Sequence, residues 1–596
     1  MTAPRRAPQR PPERLLEALA AAAAVGLVWL VPLVWDTAAL EVFRGPQREV
    51  AHVLLGTLAA ALLARAPREA WRDPWWLAWA GATCASLIAA LASGHAAVSL
   101  LAAAPLPVAA LAWGGLRTLP EPWRRRLPAL IVGAGAAQAL LTLAFRDPDW
   151  MPAGYRLLSL EPGRFTWIGT LGNPGYVATF LVLPALLAAE RAVRSPKRRW
   201  AWGAASGVMT AVAVGTATLS AVAALLAGGA VLAFRAVPAR RRWAALGATV
   251  AFGAALVAAT PLRTRVTDAV RQTRVGGWQW MGSARGAAAS AALSMIAARP
   301  FAGVGPGRFA ADSFRFQDEA TLASRGQVLG LETGFGEAHN DPLQFAAETG
   351  ALGVALAVFG VILALRRGAR PDRDLPATPA LLAAAAVLAL THFPLHVAAI
   401  AAQWLVLAAL AVPPLAAGRR TPVGWPAAAA VLVVAGAAAA IGWQRSSASA
   451  DIAGGRRLSE SLRASSAANR ATRAGEALDR LGSRARWLPG SWDARVILGN
   501  LAVDAGRPDA AVRHFQAALA LAERPEIRFN VGVALLRTGD RAAGLTHLQR
   551  AVELNPAILR AVTDAGLARA LRARLDASGY AARHPWIYQG TLLASP

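Results

Sequence analysis

The chain is organised around residues 303–353, which begin with GVGPGRF at 303–309 and end with HNDPLQFAAETGALG at 339–353. Most of the sequence before this stretch consists of apolar segments. Within it, a histidine, an amide and carboxylates collect where a polar loop meets the next apolar segment. Because polar groups at such a boundary in a membrane protein indicate a functional site, the rest of the chain is interpreted as its scaffold.

The composition excludes a simple soluble protein. Of the 596 residues, 55% are hydrophobic and 16% are charged, and long runs of Ala, Leu, Val and Gly alternate with short arginine-rich loops. This pattern predicts an all-α, polytopic membrane protein with about 12 or 13 transmembrane helices. The expected spans are 15–35, 50–64, 75–92, 96–116, 127–145, 170–190, 200–217, 219–234, 243–260, 343–365, 380–396, 398–417 and 423–443.

The net charge of +27 is explained by membrane topology rather than by nucleic-acid binding. The excess arginines fall in alternate short loops, as the positive-inside rule requires of cytoplasmic loops. With a cytoplasmic amino terminus, the large loop 261–342 and everything after residue 443 lie outside the cytoplasm. The lone Cys84 has no partner, so no disulfide framework is expected.

A second domain is predicted at 445–596, where charged residues become frequent and no further span occurs. Small residues recur there at an offset of 33 residues, and the matching pairs are Gly506 and Gly539, Ala510 and Ala543, and Ala518 and Ala551. The repeating unit is a helical pair, expected at 496–505 with 508–521 and at 529–538 with 541–554. This pattern resembles the tetratricopeptide repeat, which forms α-solenoids that usually offer a surface to a protein partner.

The spacing of His339-Asn340, nine residues and Gly350-x-x-Gly353 resembles the motif of the bacterial O-antigen ligase superfamily. The superfamily also includes O-antigen polymerases and protein O-oligosaccharyltransferases. The likeness extends to RPFAGVGPG at 299–307, GTLGNP at 169–174 and HFPLH at 392–396, and covers the expected membrane domain 1–444.

The resemblance implies a helical glycosyltransferase of the bacterial inner membrane, with its large loop and carboxyl-terminal domain in the periplasm. Its donor would be a glycan on a polyprenyl (undecaprenyl) diphosphate, its acceptor a lipid, glycan or protein hydroxyl, and it would use no cofactor or metal. The location fits this chemistry independently, because a sugar donor outside the cytoplasm must carry its leaving group on a lipid. Transfer then needs a base near the acceptor hydroxyl and cations around the diphosphate.

His339 is the candidate base, because an imidazole titrates near neutral pH and can accept the hydroxyl proton. The alternative is a structural histidine bonded to a loop carbonyl. Asn340 and Glu348 are expected to orient His339 or sugar hydroxyls, although Glu348 could instead form an ion pair with a loop arginine. Asn173, within GTLGNP, is predicted to bind substrate.

Arginines are the candidates for the diphosphate, because the planar guanidinium fits phosphate oxygens. Arg285 and Arg164 are the first choices, and Arg299 and Arg308 are the second choices. The alternative for each is a solvated arginine or one that contacts lipid headgroups. The chain departs from the family pattern at TATLSA, 216–221, where a Ser-Arg pair is usual. Either another cation replaces that arginine, or the diphosphate is held differently, or activity is reduced.

Three other interpretations were open at this level. The pairs Asp147/Asp149 and His392/His396, the latter expected on one helix face, could bind a metal. A proline turn and a packed pair are the preferred interpretations, so no metal site is predicted.

A transporter of lipid-linked saccharide would carry ionisable residues at mid-bilayer and inverted repeats. A membrane-attached scaffold would leave the histidine motif without a purpose. The motif spacing favours a ligase over a polymerase or protein transferase.

Overall fold

The computed structural model describes residues 10–147, 149–151, 166–276, 284–318, 321–322, 334–368, 375–415, 424–589 and 591. Within these ranges the chain is 80% helical and contains no strand. The all-α prediction is therefore confirmed.

The helices up to the last expected span are as follows: Pro11–Trp29 (α1), Arg44–Arg65 (α2), Trp75–Ala92 (α3), Ala96–Ala103 (α4), Pro105–Arg117 (α5), Glu121–Ala144 (α6), Pro174–Arg194 (α7), Arg199–Gly215 (α8), Leu219–Ala236 (α9), Arg242–Ala259 (α10), Leu262–Gly276 (α11), Ala284–Ala298 (α12), Phe309–Asp312 (α13), Asp341–Arg366 (α14), Thr378–Thr391 (α15), Ala398–Leu410 (α16) and Trp425–Leu462 (α17).

Nine helical segments of the described residues are long and apolar enough to cross a membrane, and α15 and α16 are shorter apolar helices. A multi-pass membrane protein is thus confirmed. Several expected span ends differ from the observed helix ends. Helix α15 ends at Thr391 rather than 396, because Pro394 disfavours helical geometry just before it. Helix α17 continues to Leu462 without a break, so one rigid helix crosses the boundary expected at 444.

Arginines of the predicted cytoplasmic loops hold one end of the bundle together. Arg117 is almost fully buried, pairs with Asp73 at 2.7 Å and donates from Nε to the carbonyl oxygen of Pro413 at 2.9 Å. Arg124 donates to the carbonyl oxygen of Val412 at 3.0 Å. These carbonyls belong to the segment just after α16, so the two guanidinium groups hold that segment against the arginine-rich end of the bundle.

The remaining helices are Ala467–Gly482 (α18), Trp492–Asp504 (α19), Pro508–Leu521 (α20), Pro525–Arg537 (α21), Arg541–Leu554 (α22), Ala565–Ala577 (α23) and Tyr580–Arg583 (α24). The two expected helical pairs are thus present as α19 with α20 and α21 with α22. Glycines allow each pair to pack closely: a Cβ on Gly499 would lie 2.4 Å from Phe515, and one on Gly532 would lie 2.6 Å from Leu548. The tetratricopeptide identity stays a prediction.

Candidate functional site

Several helix ends meet around the motif of residues 339–353. Arg44, at the start of α2, donates to the carbonyl oxygen of His396 at 3.1 Å, two residues before α16 begins. Asn340 caps α14 and donates from Nδ2 to the carbonyl oxygen of Leu390, near the end of α15, at 3.0 Å. The site therefore lies at the opposite end of the bundle from Arg117. Arg117 is the last residue of α5 and contacts the segment that follows α16.

The glycine motif forms a break in α14 into which the loop 300–305 docks. Gly350 interrupts the helix with φ 66° and ψ −175°. A Cβ on Gly350 would lie 2.4 Å from the carbonyl of Phe301, and one on Gly303 would lie 2.4 Å from the carbonyl of Glu348. Only glycine adopts these torsions cheaply and permits this approach. The glycines of the motif therefore allow the backbone of loop 300–305 to contact the break in α14, and we call this contact the junction.

Hydrogen bonds close the junction from both sides. The Ala351 N–H donates to the carbonyl oxygen of Pro300 at 2.7 Å, and the Gly305 N–H donates to that of Glu348 at 2.9 Å. Groups freed by a break in an apolar helix must find partners within the protein. The loop supplies them, which fixes the glycine loop to α14.

We expect Gly350→Ala to destabilise the protein by about 3 kcal/mol, because left-handed strain adds to overlap with a fixed backbone carbonyl. Thermal unfolding in detergent would measure this as a fall in Tm. The matched control is Gly436→Ala in α17, where an added Cβ meets nothing within 4 Å. Equal Tm values for the two variants would contradict the junction.

The Glu348 carboxylate is partly exposed and is held by the glycine loop. Its Oε2 accepts from the Gly307 N–H at 3.0 Å, and its Oε1 accepts from the Phe309 N–H at 3.3 Å. The Nε2 of Gln344 donates to Oε1 at 3.4 Å. In the described part of the chain these three donors, rather than an arginine, form the hydrogen bonds to the Glu348 carboxylate.

Gln344 links this carboxylate to a histidine–aspartate pair. The Ala338 N–H donates to Gln344 Oε1 at 2.9 Å, which turns the amide Nε2 toward His396 Nε2 at 3.0 Å. The other ring nitrogen, His396 Nδ1, lies 2.9 Å from Asp341 Oδ1. Burial lowers the pKa of His396, but the hydrogen bond and charge of Asp341 outweigh it and leave that pKa raised.

His339 occupies an uncommon backbone conformation, with φ 55°. Left-handed geometry is costly for a residue with a Cβ, and such outliers concentrate at functional sites. Its ring packs edge-on against Phe393, with centroids 4.8 Å apart. Neither ring nitrogen has a hydrogen-bond partner among the described residues, and Nδ1 is buried. The ring is therefore held by packing, while its nitrogens stay available.

The charge state of His339 follows from its surroundings. Burial lowers its pKa, and the nearby charge of Arg285 lowers it further, to about 4. The imidazole is therefore neutral near pH 7, with an unprotonated nitrogen that can accept a proton.

Arg285 lies on the first turn of α12 and is half-buried. Burial and the charge of Arg265 lower its pKa, and Arg285 has no hydrogen bond or ion pair with another described residue. A guanidinium whose pKa is lowered by a second positive charge favours an anionic ligand. The buried side of α12 is formed by alanines and Met295.

Asn173 and Asn340, two of the candidate site residues, each cap the start of a helix. Asn173 Oδ1 accepts from the Gly175 N–H at 2.7 Å at the start of α7, and Asn340 Oδ1 accepts from the Leu343 N–H at 2.8 Å. Such caps satisfy N–H groups that a helix leaves free. Arg299 is exposed, and Arg164 lies outside the described residues.

Arg308 does not have the geometry expected of a diphosphate ligand. It is 1% exposed, and its Nε and Nη2 donate to the carboxylate of Asp312 at 3.1 and 2.7 Å. Its Nη1 donates to the carbonyl oxygen of Leu521 at 2.7 Å. Because both sides of the guanidinium are occupied, the expected role of Arg308 is replaced by a structural one.

The two histidines considered for a metal do not share a helix face, because α15 ends before them. His392 stacks on Phe393, with centroids 4.5 Å apart, whereas His396 pairs with Asp341. No group of three His, Cys, Asp or Glu residues that could hold a metal occurs in the described ranges.

Sequence reasoning missed Arg44, Glu337 and Tyr176. Arg44 pairs with Glu337 at 2.7 Å, two residues before His339. The Tyr176 ring lies edge-on to Phe393 with centroids 5.6 Å apart, and Phe393 in turn touches His339. Arg44 precedes His339 by almost 300 residues, so no local pattern could have connected them.

The comparison with protein families agrees with this site. Residues 204–358 match the family model of the O-antigen ligase domain, Wzy_C. No curated protein matches the chain significantly. The matched segment contains Arg285, the glycine loop and His339, and runs through the break at Gly350. Over 204–358 this multi-pass membrane protein is therefore similar to O-antigen ligases, which supports a glycosyltransferase-type function on lipid-linked glycans.

Proposed function

We propose that the protein transfers a saccharide from a polyprenyl (undecaprenyl) diphosphate carrier to an acceptor hydroxyl at the periplasmic face of the inner membrane, as an O-antigen ligase does. The observation that carries this proposal is the combination of His339 with Arg285, whose charge lowers the pKa of His339. The first is a neutral imidazole with available nitrogens, and the second is a guanidinium with no protein partner among the described residues. A base beside a phosphate-binding cation suits displacement of a diphosphate.

The reaction proposed is a direct displacement. His339 removes the proton of the acceptor hydroxyl while the hydroxyl oxygen forms a bond to the anomeric carbon. The bond from that carbon to the diphosphate oxygen breaks, and its electron pair leaves with the polyprenyl diphosphate. Arg285 stabilises the charge that develops there. A single displacement inverts the configuration at the anomeric carbon.

Of the alternatives for the absent Ser-Arg pair, we propose that another cation replaces its arginine. We assign this role to Arg44, whose side chain is 39% exposed although it pairs with Glu337. Arg164 and Arg299 remain proposed contacts to the carrier phosphates or to headgroups.

The proposal is tested with purified protein, polyprenyl diphosphate oligosaccharide and a panel of acceptors: lipid A–core, free polysaccharide and peptide, each with and without a chelator. Glycan attached to lipid A–core identifies a ligase, and attachment to polysaccharide or peptide identifies a polymerase or a protein transferase. Loss of transfer on chelation would contradict the metal-independent reaction. Movement of the lipid across liposomes with no transfer would contradict the enzyme and indicate a transporter.

The low pKa of His339 predicts an unusual pH dependence. We expect kcat/KM to stay constant from pH 8 to about pH 5 and to fall by half at about pH 4, because the base is lost only when His339 is protonated. In the unfolded chain His339 has the ordinary pKa of 6.5, whereas in the folded chain its pKa is about 4. The folded state is therefore favoured above pH 6.5, and this contribution to stability is lost as the pH falls toward 4. A rate profile checks the first point, and an inflection near pH 6.5 would contradict it.

A further inference from the structure

Two equivalent positions of the carboxyl-terminal repeat contact the loop beside the site. Leu521 ends α20 and Leu554 ends α22, at the same offset as Gly506 and Gly539. The carbonyl oxygen of Leu521 accepts from Arg308 at 2.7 Å, and that of Leu554 accepts from Nε2 of Gln317 at 2.6 Å.

The chemistry of these contacts explains their position. Carbonyls in the last turn of a helix lack partners within the helix and carry the negative end of its dipole. They therefore suit a guanidinium and an amide as donors. Because the repeat places two such helix ends side by side, one surface of the domain meets the loop twice.

The residues that follow Leu521 extend this contact. Glu523 pairs with Arg315 at 3.2 Å. The guanidinium of Arg524 lies 4.8 Å from the ring centroid of Phe314 in the loop and 4.4 Å from that of Trp492 in the domain. Phe314 is 2% exposed. The interface therefore combines a buried aromatic group with ionic contacts.

The domain is also fixed on its other side. It continues from α17, which reaches the start of α2 through an ion pair between Arg445 and Glu49 at 3.3 Å. The N–H of Leu40 donates to Oγ of Ser449 at 2.9 Å. The domain thus contacts both the α1–α2 connection and the loop of the site.

From Arg308 a continuous set of hydrogen bonds leads to His339. The residues on either side of Arg308, Gly307 and Phe309, donate their N–H groups to Glu348. Glu348 accepts from Gln344, whose Oε1 accepts from the N–H of Ala338, the residue before His339. A shift of the loop would therefore reach the strained backbone of His339.

We infer that the carboxyl-terminal domain positions the catalytic base: its docking on residues 308–317 sets the geometry of His339 through Glu348 and Gln344, which are positioning residues. The inference rests on the proposed role of His339. A chain of contacts alone does not establish coupling, so coupling has to be measured.

The docking itself is tested by hydrogen exchange on the full chain, which requires no transfer activity. The double variant Arg315→Ala/Gln317→Ala removes two partly exposed contacts, and we expect about tenfold faster exchange in peptides that contain the N–H groups of 307, 309 and 338. The matched control is Arg507→Ala, which removes an ion pair with Asp479 inside the domain. Unchanged exchange in the double variant would overturn the docking.

The coupling is tested by a double-mutant cycle on transfer. We expect the interface variant and Gln344→Ala each to lower kcat about tenfold with KM for the donor nearly unchanged, and their combination to lower it far less than a hundredfold. Using Arg315→Lys in place of Arg315→Ala keeps a cation opposite Glu523, and it should therefore recover part of kcat. The inference would be overturned if the effects of the interface variant and Gln344→Ala on kcat simply multiplied. Full kcat in the interface variant would also overturn it. Absence of transfer by the wild type would instead refute the proposed function, while the exchange result would still decide the docking.

Discussion

Replacing His339 by Ala is expected to lower kcat for glycan transfer by about a thousandfold, because general-base catalysis by a positioned side chain contributes roughly 10² to 10⁴. The ring makes no hydrogen bond with another described residue, so its removal should leave the fold intact. The measurement is the steady-state rate with the best acceptor of the panel.

The control for this loss is His514→Ala, which removes a partly buried histidine of α20. The control should keep the wild-type rate, and both variants should keep the wild-type Tm. A rate for His339→Ala within threefold of wild type would show that the histidine is structural.

Arg285→Gln is expected to lower kcat by about a hundredfold or more, since removal of one group that stabilises developing charge typically costs 10² to 10³. The substitution also removes a charge that depresses the pKa of His339. The pH at which kcat/KM falls by half should therefore move upward from about 4. This second effect separates Arg285 from a residue that only stabilises the fold.

Arg507→Gln provides a matched comparison, because that arginine pairs with Asp479 in the carboxyl-terminal domain. It should change neither kcat nor the pH profile. A normal rate for Arg285→Gln, or a slow rate with an unmoved pH profile, would contradict the assignment of Arg285 to the diphosphate.

Much of the fold was predictable because apolar runs and their arginine-rich boundaries reflect the bilayer directly. Helices α3, α20 and α22 have the predicted bounds. Hydropathy alone did not predict where helices end: Pro394 closely follows the end of α15, and α17 continues beyond its apolar segment.

The site was predictable only where it is local in sequence. The spacing from His339 to Gly353 led to the prediction of His339 as the base, but not to the finding that Gly350 breaks a helix to receive a loop. The pairing of His396 with Asp341 and of Arg44 with Glu337 depends on helix ends that meet only in the folded bundle. Local patterns carry no information about such contacts.

Arg308 shows how an expected role can be changed by a distant segment. It was a second choice for the diphosphate, because a guanidinium fits phosphate oxygens. In the structure, Asp312 and the carbonyl of Leu521 occupy its guanidinium, because the carboxyl-terminal domain folds back onto the loop. The sequence between them exceeds 200 residues, and no pattern near Arg308 indicates the contact.

The most direct test of the account is a single turnover with a donor labelled in both the glycan and the polyprenyl diphosphate. We predict that wild-type protein releases polyprenyl diphosphate and glycosylates the acceptor at the same rate, with inverted anomeric configuration, and that His339→Ala does neither at a comparable rate. Equal release of polyprenyl diphosphate by both proteins, or a product with retained configuration, would contradict direct displacement with His339 as the base.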